Sequence, residues 1–242
     1  MTKYLIILAV TILGIFAFPN QHLETSDNGR IVGGENAEPG QFPYIVSIQS
    51  TSGDHTCGGS IINADTIVTA KHCIRRISPS SRVVIVGLLK LSEGGIKHKI
   101  RTFIIHPSAD IGLIKLQEPI QYTDNVKPIE WEEVWTDVNR DATAIGWGQT
   151  GVSAPIPDHL QYVHLKALTN AECEAQATWV SEWDICSYLE PGKGTCLGDS
   201  GGPLVSGGKL IGAVSRGDPC ATGYPDIYTR LSYASDWIKQ NL

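Results

Sequence analysis

The segment Gly198-Asp199-Ser200-Gly201-Gly202-Pro203 is the most informative stretch of this 242-residue sequence. Glycines around Ser200 allow the backbone to turn sharply, so that neighbouring N–H groups can converge on one point. Such a point can stabilise the negative charge of a tetrahedral oxyanion. Ser200 is therefore a candidate nucleophile, although a Gly-rich turn without a catalytic role would have the same composition.

Two further residues supply what a serine nucleophile needs. A serine hydroxyl reacts poorly unless a base removes its proton. His72, beside Cys73 at the end of an apolar run, is the candidate base. Asp110 starts another apolar run, where a buried carboxylate needs a partner such as an imidazole. A structural histidine and a strand-start cap are the alternatives for these two residues, and we favour catalysis because all three residues occur together.

The composition favours many short strands. Hydrophobic residues make up 42% and charged residues 18%, with 25 Gly and 13 Pro spread along the chain, which is typical of an all-β protein rather than a disordered one. β-branched runs between turn signals predict the strands Tyr44 to Gln49, Ser60 to Ile62, Thr66 to Ala70, Arg82 to Val86, Ile111 to Leu116, Thr143 to Trp147 and Leu210 to Ser215. Helical spacing of apolar residues predicts a helix from Leu231 to Leu242.

The net charge of −6 gives no electrostatic reason to expect nucleic acid or an anionic membrane as a partner. The basic residues between Lys97 and Arg101 alternate with isoleucines, which predicts the solvent-facing side of a strand. We predict no metal and no cofactor.

The N-terminus has the pattern of a targeting segment. Lys3 precedes an apolar run from Leu5 to Phe18 that is too short to span a bilayer. We expect residues 1–17 to be a signal peptide and residues 18–30 a removable propeptide before a domain at 31–242. Secretion would place the six cysteines in an oxidising compartment, where three disulfides are expected, with 15 pairings open to sequence analysis.

On these and related motifs, the sequence resembles the chymotrypsin and trypsin (S1) family of serine proteases over residues 31–242. The motifs are Ile31 to Gly34, Cys57-Gly58-Gly59-Ser60, Thr69 to Cys73, Asp110 to Leu116, Gly146-Trp147-Gly148, Cys196 to Leu204, Ser215 and Tyr228-Thr229-Arg230. The resemblance implies two packed antiparallel six-stranded β-barrels with a C-terminal helix and a cleft between the barrels. It also implies the disulfides Cys57–Cys73, Cys173–Cys186 and Cys196–Cys220.

The resemblance also implies a mechanism and its residues. Ser200 would attack a peptide carbonyl, with His72 as base, Asp110 orienting the imidazole, and the N–H groups of Gly198 and Ser200 as the oxyanion hole. An activating protease would cut after Arg30, and the new ammonium group of Ile31 would pair with Asp199. The mature protein is expected to be a secreted, monomeric endopeptidase that hydrolyses proteins and peptides and is bound by protein inhibitors.

The substrate pocket departs from the family pattern. Relatives that cut after Lys or Arg usually carry Asp six positions before the nucleophile, where this sequence has Gly194. Gly217 keeps the pocket mouth open, and Asp226 stands where most relatives have glycine. Some arthropod digestive members with similar exchanges cleave broadly. The alternatives are a basic preference, a broad or chymotrypsin-like preference, and an Asp226 that turns outward.

Two basic residues near the triad also depart from the pattern. Arg216 replaces a tryptophan and could stack along the groove, recognise an acidic residue or obstruct the cleft. Lys71 replaces a small residue, and its ammonium would disfavour a charged His72 if it lay near the imidazole rather than in solvent. These departures support one alternative function, a catalytically impaired homologue that binds peptides or proteins.

Overall fold

The structure is a computed structural model that describes residues 31–218 and 220–242, and antiparallel strands are its main regular elements. The strands are β1 (Glu35–Asn36), β2 (Ile45–Ser50), β3 (His55–Asn63), β4 (Thr66–Thr69), β5 (Arg82–Val86), β6 (Ile96–Ile105), β7 (Gly112–Leu116), β8 (Arg140–Gly146), β9 (Gln161–Ala167), β10 (Asp184–Tyr188), β11 (Pro203–Ser206), β12 (Lys209–Arg216) and β13 (Asp226–Arg230). The helices are α1 (Lys71–Ile74), α2 (Asn170–Gln176) and α3 (Leu231–Gln240), with 3₁₀ turns at Pro79–Ser81 and Leu91–Glu93.

The first barrel closes in the order β2-β3-β4-β7-β6-β5. Its interior is filled by β-branched and leucine side chains that alternate along the strands, among them Val46, Ile48, Ile61, Ile67 and Ile114. The basic segment Lys97 to Arg101 lies in β6 with Lys97, Lys99 and Arg101 exposed. The sequence interpretation of that segment as a solvent-facing strand is thus correct.

The second barrel contains β8, β9, β10, β13, β12 and β11, and it closes because β9 pairs with both β10 and β8. The short strand β1 adds to β9, with Glu35 opposite Tyr162. Ile31 is fully buried in the core of this barrel with Val163, Ile185 and Tyr228. The expected fold, two six-stranded antiparallel barrels with a C-terminal helix, is confirmed.

Helix α3 and three disulfides tie the barrels and loops together. Leu231, Ala234 and Ile238 of α3 pack in one cluster with residues of both barrels, including Val68 and Leu210. The disulfides join Cys57 to Cys73, Cys173 to Cys186 and Cys196 to Cys220, which are the pairs that the family resemblance implies. In the chain-entropy model, closing a loop of the length between Cys57 and Cys73 stabilises the fold by about 3 kcal/mol.

The expected signal peptide and propeptide, with Arg30, lie outside the described residues. Among the residues that are described, no helix is long and apolar enough to cross a membrane.

Candidate active site

His72 and Asp110 meet because the strand before His72 pairs with the strand after Asp110. His72 lies in α1 directly after β4, and Asp110 precedes β7, which pairs with β4. The Nδ1 atom of His72 lies 2.8 Å from Oδ2 of Asp110, and the backbone N–H of His72 donates to Oδ1 at 2.9 Å. A carboxylate partner fixes the proton on Nδ1 and leaves Nε2 free to accept a proton.

Two residues of the second barrel complete the surroundings of Asp110. Ser215 Oγ donates to Asp110 Oδ2 at 2.7 Å, and Thr229 Oγ1 donates to the backbone carbonyl of Asp110 at 2.9 Å. Burial raises the pKa of Asp110, but the hydrogen bonds from His72 and Ser215 outweigh it, so this pKa lies below its usual value. Asp110 is therefore held as an anion beside the imidazole.

The Ser200 turn is attached to the element that carries His72. The carbonyl oxygen of Ser200 accepts a hydrogen bond from Gly58 N at 2.8 Å, next to the Cys57–Cys73 disulfide. Gly201 has a φ of +76°, and a Cβ there would lie 2.1 Å from Thr69 Oγ1, so only glycine allows this approach. Within the described chain no hydrogen bond joins Ser200 Oγ to His72; such contacts commonly tighten only when substrate binds.

Two N–H groups of the turn remain available for an oxyanion. The carbonyl of Leu197 accepts from Gln149 N at 2.8 Å, and since a peptide group is planar and trans, the N–H of Gly198 points the opposite way. Neither Gly198 N nor Ser200 N donates to a protein acceptor in the ranges that the structure describes. The arrangement can stabilise a negative oxygen.

His55 supports the same turn from the first barrel, and sequence reasoning missed it. Its Nδ1 lies 2.8 Å from Ser47 Oγ, and its Nε2 lies 3.0 Å from the carbonyl oxygen of Gly198. A carbonyl oxygen only accepts, so Nε2 carries the proton. Burial lowers the pKa of His55, although its bond to Gly198 opposes this. No local motif marks this residue, because its contact spans 143 positions.

Asp199 is fully enclosed by the second barrel. Its Oδ1 accepts from Gly148 N at 2.7 Å and its Oδ2 from Cys196 N at 3.0 Å. A Cβ at Gly146 or Gly148 would lie 2.2 Å from this carboxylate, so the glycines of the Gly-Trp-Gly motif make room for it. Burial raises the pKa of Asp199 to about 7, against the two backbone bonds.

Asp226 lines a cavity of about 150 Å³ that Ser200 also lines. Its carboxylate lies between Gly194 and Gly217 and accepts from Thr195 N at 2.6 Å. Only 4% of the residue is exposed, so Asp226 faces the pocket rather than turning outward. Burial raises its pKa to about 7, and the charge of Asp199 contributes in the same direction.

Comparisons with known proteins agree with this architecture. A family model described as Trypsin matches residues 31–238. The chain belongs to the trypsin family. It is 35% identical to Trypsin alpha of Drosophila erecta over 98% of this chain and 97% of that protein, and 36% identical to Chymotrypsin-2 of Vespa crabro over 87% and 99%. The protein is thus a chymotrypsin-like serine endopeptidase, and its substrates are proteins.

The two unusual basic residues of this trypsin-family chain are both held by specific acceptors. Arg216 pairs with both carboxylate oxygens of Asp184 and donates to the carbonyl of Trp179 at 2.7 Å. Lys71 donates through Nζ to backbone carbonyls of the segment that leads to Asp110. Neither cation is directed at the imidazole or across the cleft, and sequence reasoning missed Asp184 as the partner.

Proposed function

We propose that this protein is a secreted serine endopeptidase, made as a zymogen, that hydrolyses peptide bonds through an acyl-enzyme. The observation that carries the proposal is the Asp110–His72 pair, with a fixed proton on Nδ1, beside the Ser200 turn. In the same proposal the protein acts as a monomer on protein and peptide substrates, needs no metal or cofactor, and is controlled by protein inhibitors. It has no nucleic-acid or membrane partner.

The proposed reaction has two halves. Ser200 Oγ attacks the scissile carbonyl carbon while Nε2 of His72 takes the hydroxyl proton, and the N–H groups of Gly198 and Ser200 stabilise the oxyanion. His72 then protonates the leaving amine as the peptide C–N bond breaks, which leaves an ester on Ser200. A water molecule attacks this ester by the same proton transfers. Asp110 stabilises the imidazolium in both halves.

Activation is proposed to depend on Asp199. A protease that prefers basic residues would cut after Arg30 and free the amino group of Ile31. Ile31 is buried in the second barrel, and Asp199 is buried in the same barrel next to Gly198. The new ammonium would favour the ionised carboxylate and stabilise the turn that presents the oxyanion donors. Removal of the signal peptide 1–17 and the propeptide 18–30 is part of this scheme.

The proposed primary specificity is basic or broad, including chymotrypsin-like. Asp226 can pair with a substrate cation at the inner end of the pocket, but its position beside Gly194 and its raised pKa weaken the fit to a guanidinium. When Asp226 is protonated, the small pocket also accepts uncharged side chains. Ser215, Arg216 and Gly217 would form the wall along which the substrate backbone binds.

The test is titration of the Arg30-processed protein with a neutral phosphonylating reagent directed at serine. We expect one equivalent of label on Ser200 and a parallel loss of peptide hydrolysis. Ser200→Ala should take up no label and retain the fold, which circular dichroism checks. An unlabelled processed protein would contradict the proposal and support the alternative, a homologue that binds peptides without turnover.

A further inference from the structure

Asp184 and Arg216 form an ion pair across the strand that lies between them. Asp184 begins β10 and Arg216 ends β12, while β13 pairs with both strands. The guanidinium donates through Nη1 to Asp184 Oδ1 at 3.2 Å and through Nη2 to Oδ2. The Asp184 side chain is fully buried, whereas that of Arg216 is 38% exposed. A bidentate pair of this kind holds both side chains in one orientation.

A second set of contacts fixes the same guanidinium to the loop before β10. Arg216 Nη2 also donates to the carbonyl of Trp179 at 2.7 Å. Asp184 in turn accepts from Ser181 N at 2.8 Å through Oδ2. Both Nη atoms of Arg216 are thus bound to the segment that runs from Trp179 to Asp184.

The anchored residue lies between two residues of the proposed site. Ser215 donates to Asp110, and a Cβ at Gly217 would lie only 3.2 Å from Asp226 Oδ1. Arg216 also lines the cavity that Asp226 and Ser200 line. If its guanidinium left Asp184, the nearest buried carboxylate of the pocket, Asp226, would attract it, because an unpaired cation in a partly buried site seeks an anion.

We propose that Asp184 is a positioning residue for substrate binding, which keeps the Arg216 guanidinium out of the cleft and so leaves Asp226 available to the substrate. This inference rests on the proposed endopeptidase function. It explains how a cationic residue can replace an apolar one in the wall of the groove without obstructing it. It also assigns Arg216 no role in recognising acidic substrate residues, because its charge is already paired.

The test compares Asp184→Asn, Arg216→Met and the double variant. Asn retains an acceptor for Ser181 N but loses the charge that holds Arg216. We expect Asp184→Asn to raise KM for peptides with Lys or Arg before the cut by about tenfold or more, with a much smaller change in kcat. The double variant should return to the KM of Arg216→Met, since no cation remains to enter the cleft.

A purely structural role for Asp184 predicts the opposite pattern. The double variant would then be as impaired as Asp184→Asn, with losses in kcat and in the fraction of labelled sites, and this result would overturn the proposal. An unchanged KM in Asp184→Asn would also overturn it. Glu174→Gln, an exposed carboxylate-to-amide change on α2, is the matched control.

A further pair of variants decides the matter if Asp184→Asn does not fold. Lysine cannot form the bidentate pair, so Arg216→Lys leaves a loosely held cation where Arg216→Met leaves none. A higher KM in the lysine variant supports the inference, and equal values refute it. Active-site titration of the unmodified protein separates failure of the proposed function from failure of this inference. If the protein takes up no label, the endopeptidase function itself is refuted. If it is labelled, the variants test only the role of Asp184.

Discussion

The ammonium group of Lys71 lies 2.9 Å from the backbone carbonyl of His106 and 3.2 Å from that of Pro107. The His106 side chain caps the same turn, since its Nδ1 accepts from Ser108 N and Ala109 N. Lys71 therefore links the helix that carries His72 to the turn that leads to Asp110. Its charge is satisfied by carbonyl groups rather than placed against the imidazole.

Lys71→Met is expected to reduce the free energy of unfolding without changing the pH dependence of the reaction. Losing a charge-assisted contact to two carbonyls should lower the free energy of unfolding by about 1–2 kcal/mol, as denaturant titration measures. The acidic limb of the pH profile of kcat/KM should keep its midpoint, because the ammonium is bound by the carbonyls of His106 and Pro107. A clear upward shift of that midpoint would indicate instead that Lys71 disfavours the imidazolium.

Asp226 should make selectivity for basic residues depend on pH. Its pKa of about 7 means that the carboxylate is mostly neutral below pH 7 and mostly charged above it. The ratio of kcat/KM for an Arg substrate to that for a Leu substrate should rise between pH 6 and 8. Any pH dependence of the chemical step that both substrates share cancels from the ratio.

The control for this prediction is Asp226→Asn, which keeps an acceptor for Thr195 N but cannot ionise. Its selectivity ratio should be low and flat across the same pH range. A ratio in the unmodified enzyme that does not change with pH would show that Asp226 does not contact the substrate cation.

Asp199 should make the unprocessed protein less stable as the pH rises. Its folded-state pKa is raised from the usual 3.8 to about 7, so the folded state holds a proton that the unfolded state has lost between these values. The stability that Asp199 contributes is therefore complete below pH 3.8 and lost as the pH rises toward 7, by up to about 1.4 kcal/mol per pH unit.

The measurement uses Arg30→Gln/Ser200→Ala, which stays uncleaved, against the same protein with Asp199→Asn. The difference in unfolding free energy between the two should decline between pH 4 and 7. In Ser200→Ala processed after Arg30, pairing with the Ile31 ammonium should remove this decline. Equal slopes in processed and unprocessed protein would refute the activation scheme.

Local sequence patterns predicted strands that are rich in β-branched residues, but they did not predict the contacts between distant segments. The predicted run Tyr44 to Gln49 corresponds to β2, and the predicted helix from Leu231 to Leu242 corresponds to α3. Strand β9 alternates apolar residues with polar ones, and this alternation would have allowed its prediction from the sequence. Its apolar residues Val163, Leu165 and Ala167 are buried. Strand β13 is largely buried although it contains the charged and polar residues Asp226, Thr229 and Arg230. A criterion based on hydrophobicity therefore does not predict it.

The orientation of charged side chains depended on partners far along the chain. Arg216 had three open alternatives in the sequence because its partner Asp184 lies 32 positions away, on a strand that sequence reasoning did not find. Lys71 similarly binds carbonyls 35 and 36 positions away. The three candidate catalytic residues could be named from the sequence, because each lies in a short motif whose residue types suit that chemistry.

The Gly-Trp-Gly motif should tolerate no side chain at its glycines, because both face the Asp199 carboxylate. In Gly148→Ala, the new Cβ would lie 2.2 Å from Asp199 Oδ2, so the carboxylate must move. We expect a loss of about 1–3 kcal/mol in unfolding free energy. We also expect a large fall in kcat, because Asp199 adjoins both oxyanion donors. Gly151→Ala is the matched control, since among the described residues, its two chain neighbours aside, no heavy atom would lie within 4 Å of the added Cβ. If both variants retained equal activity, the position of Asp199 would not govern the oxyanion hole.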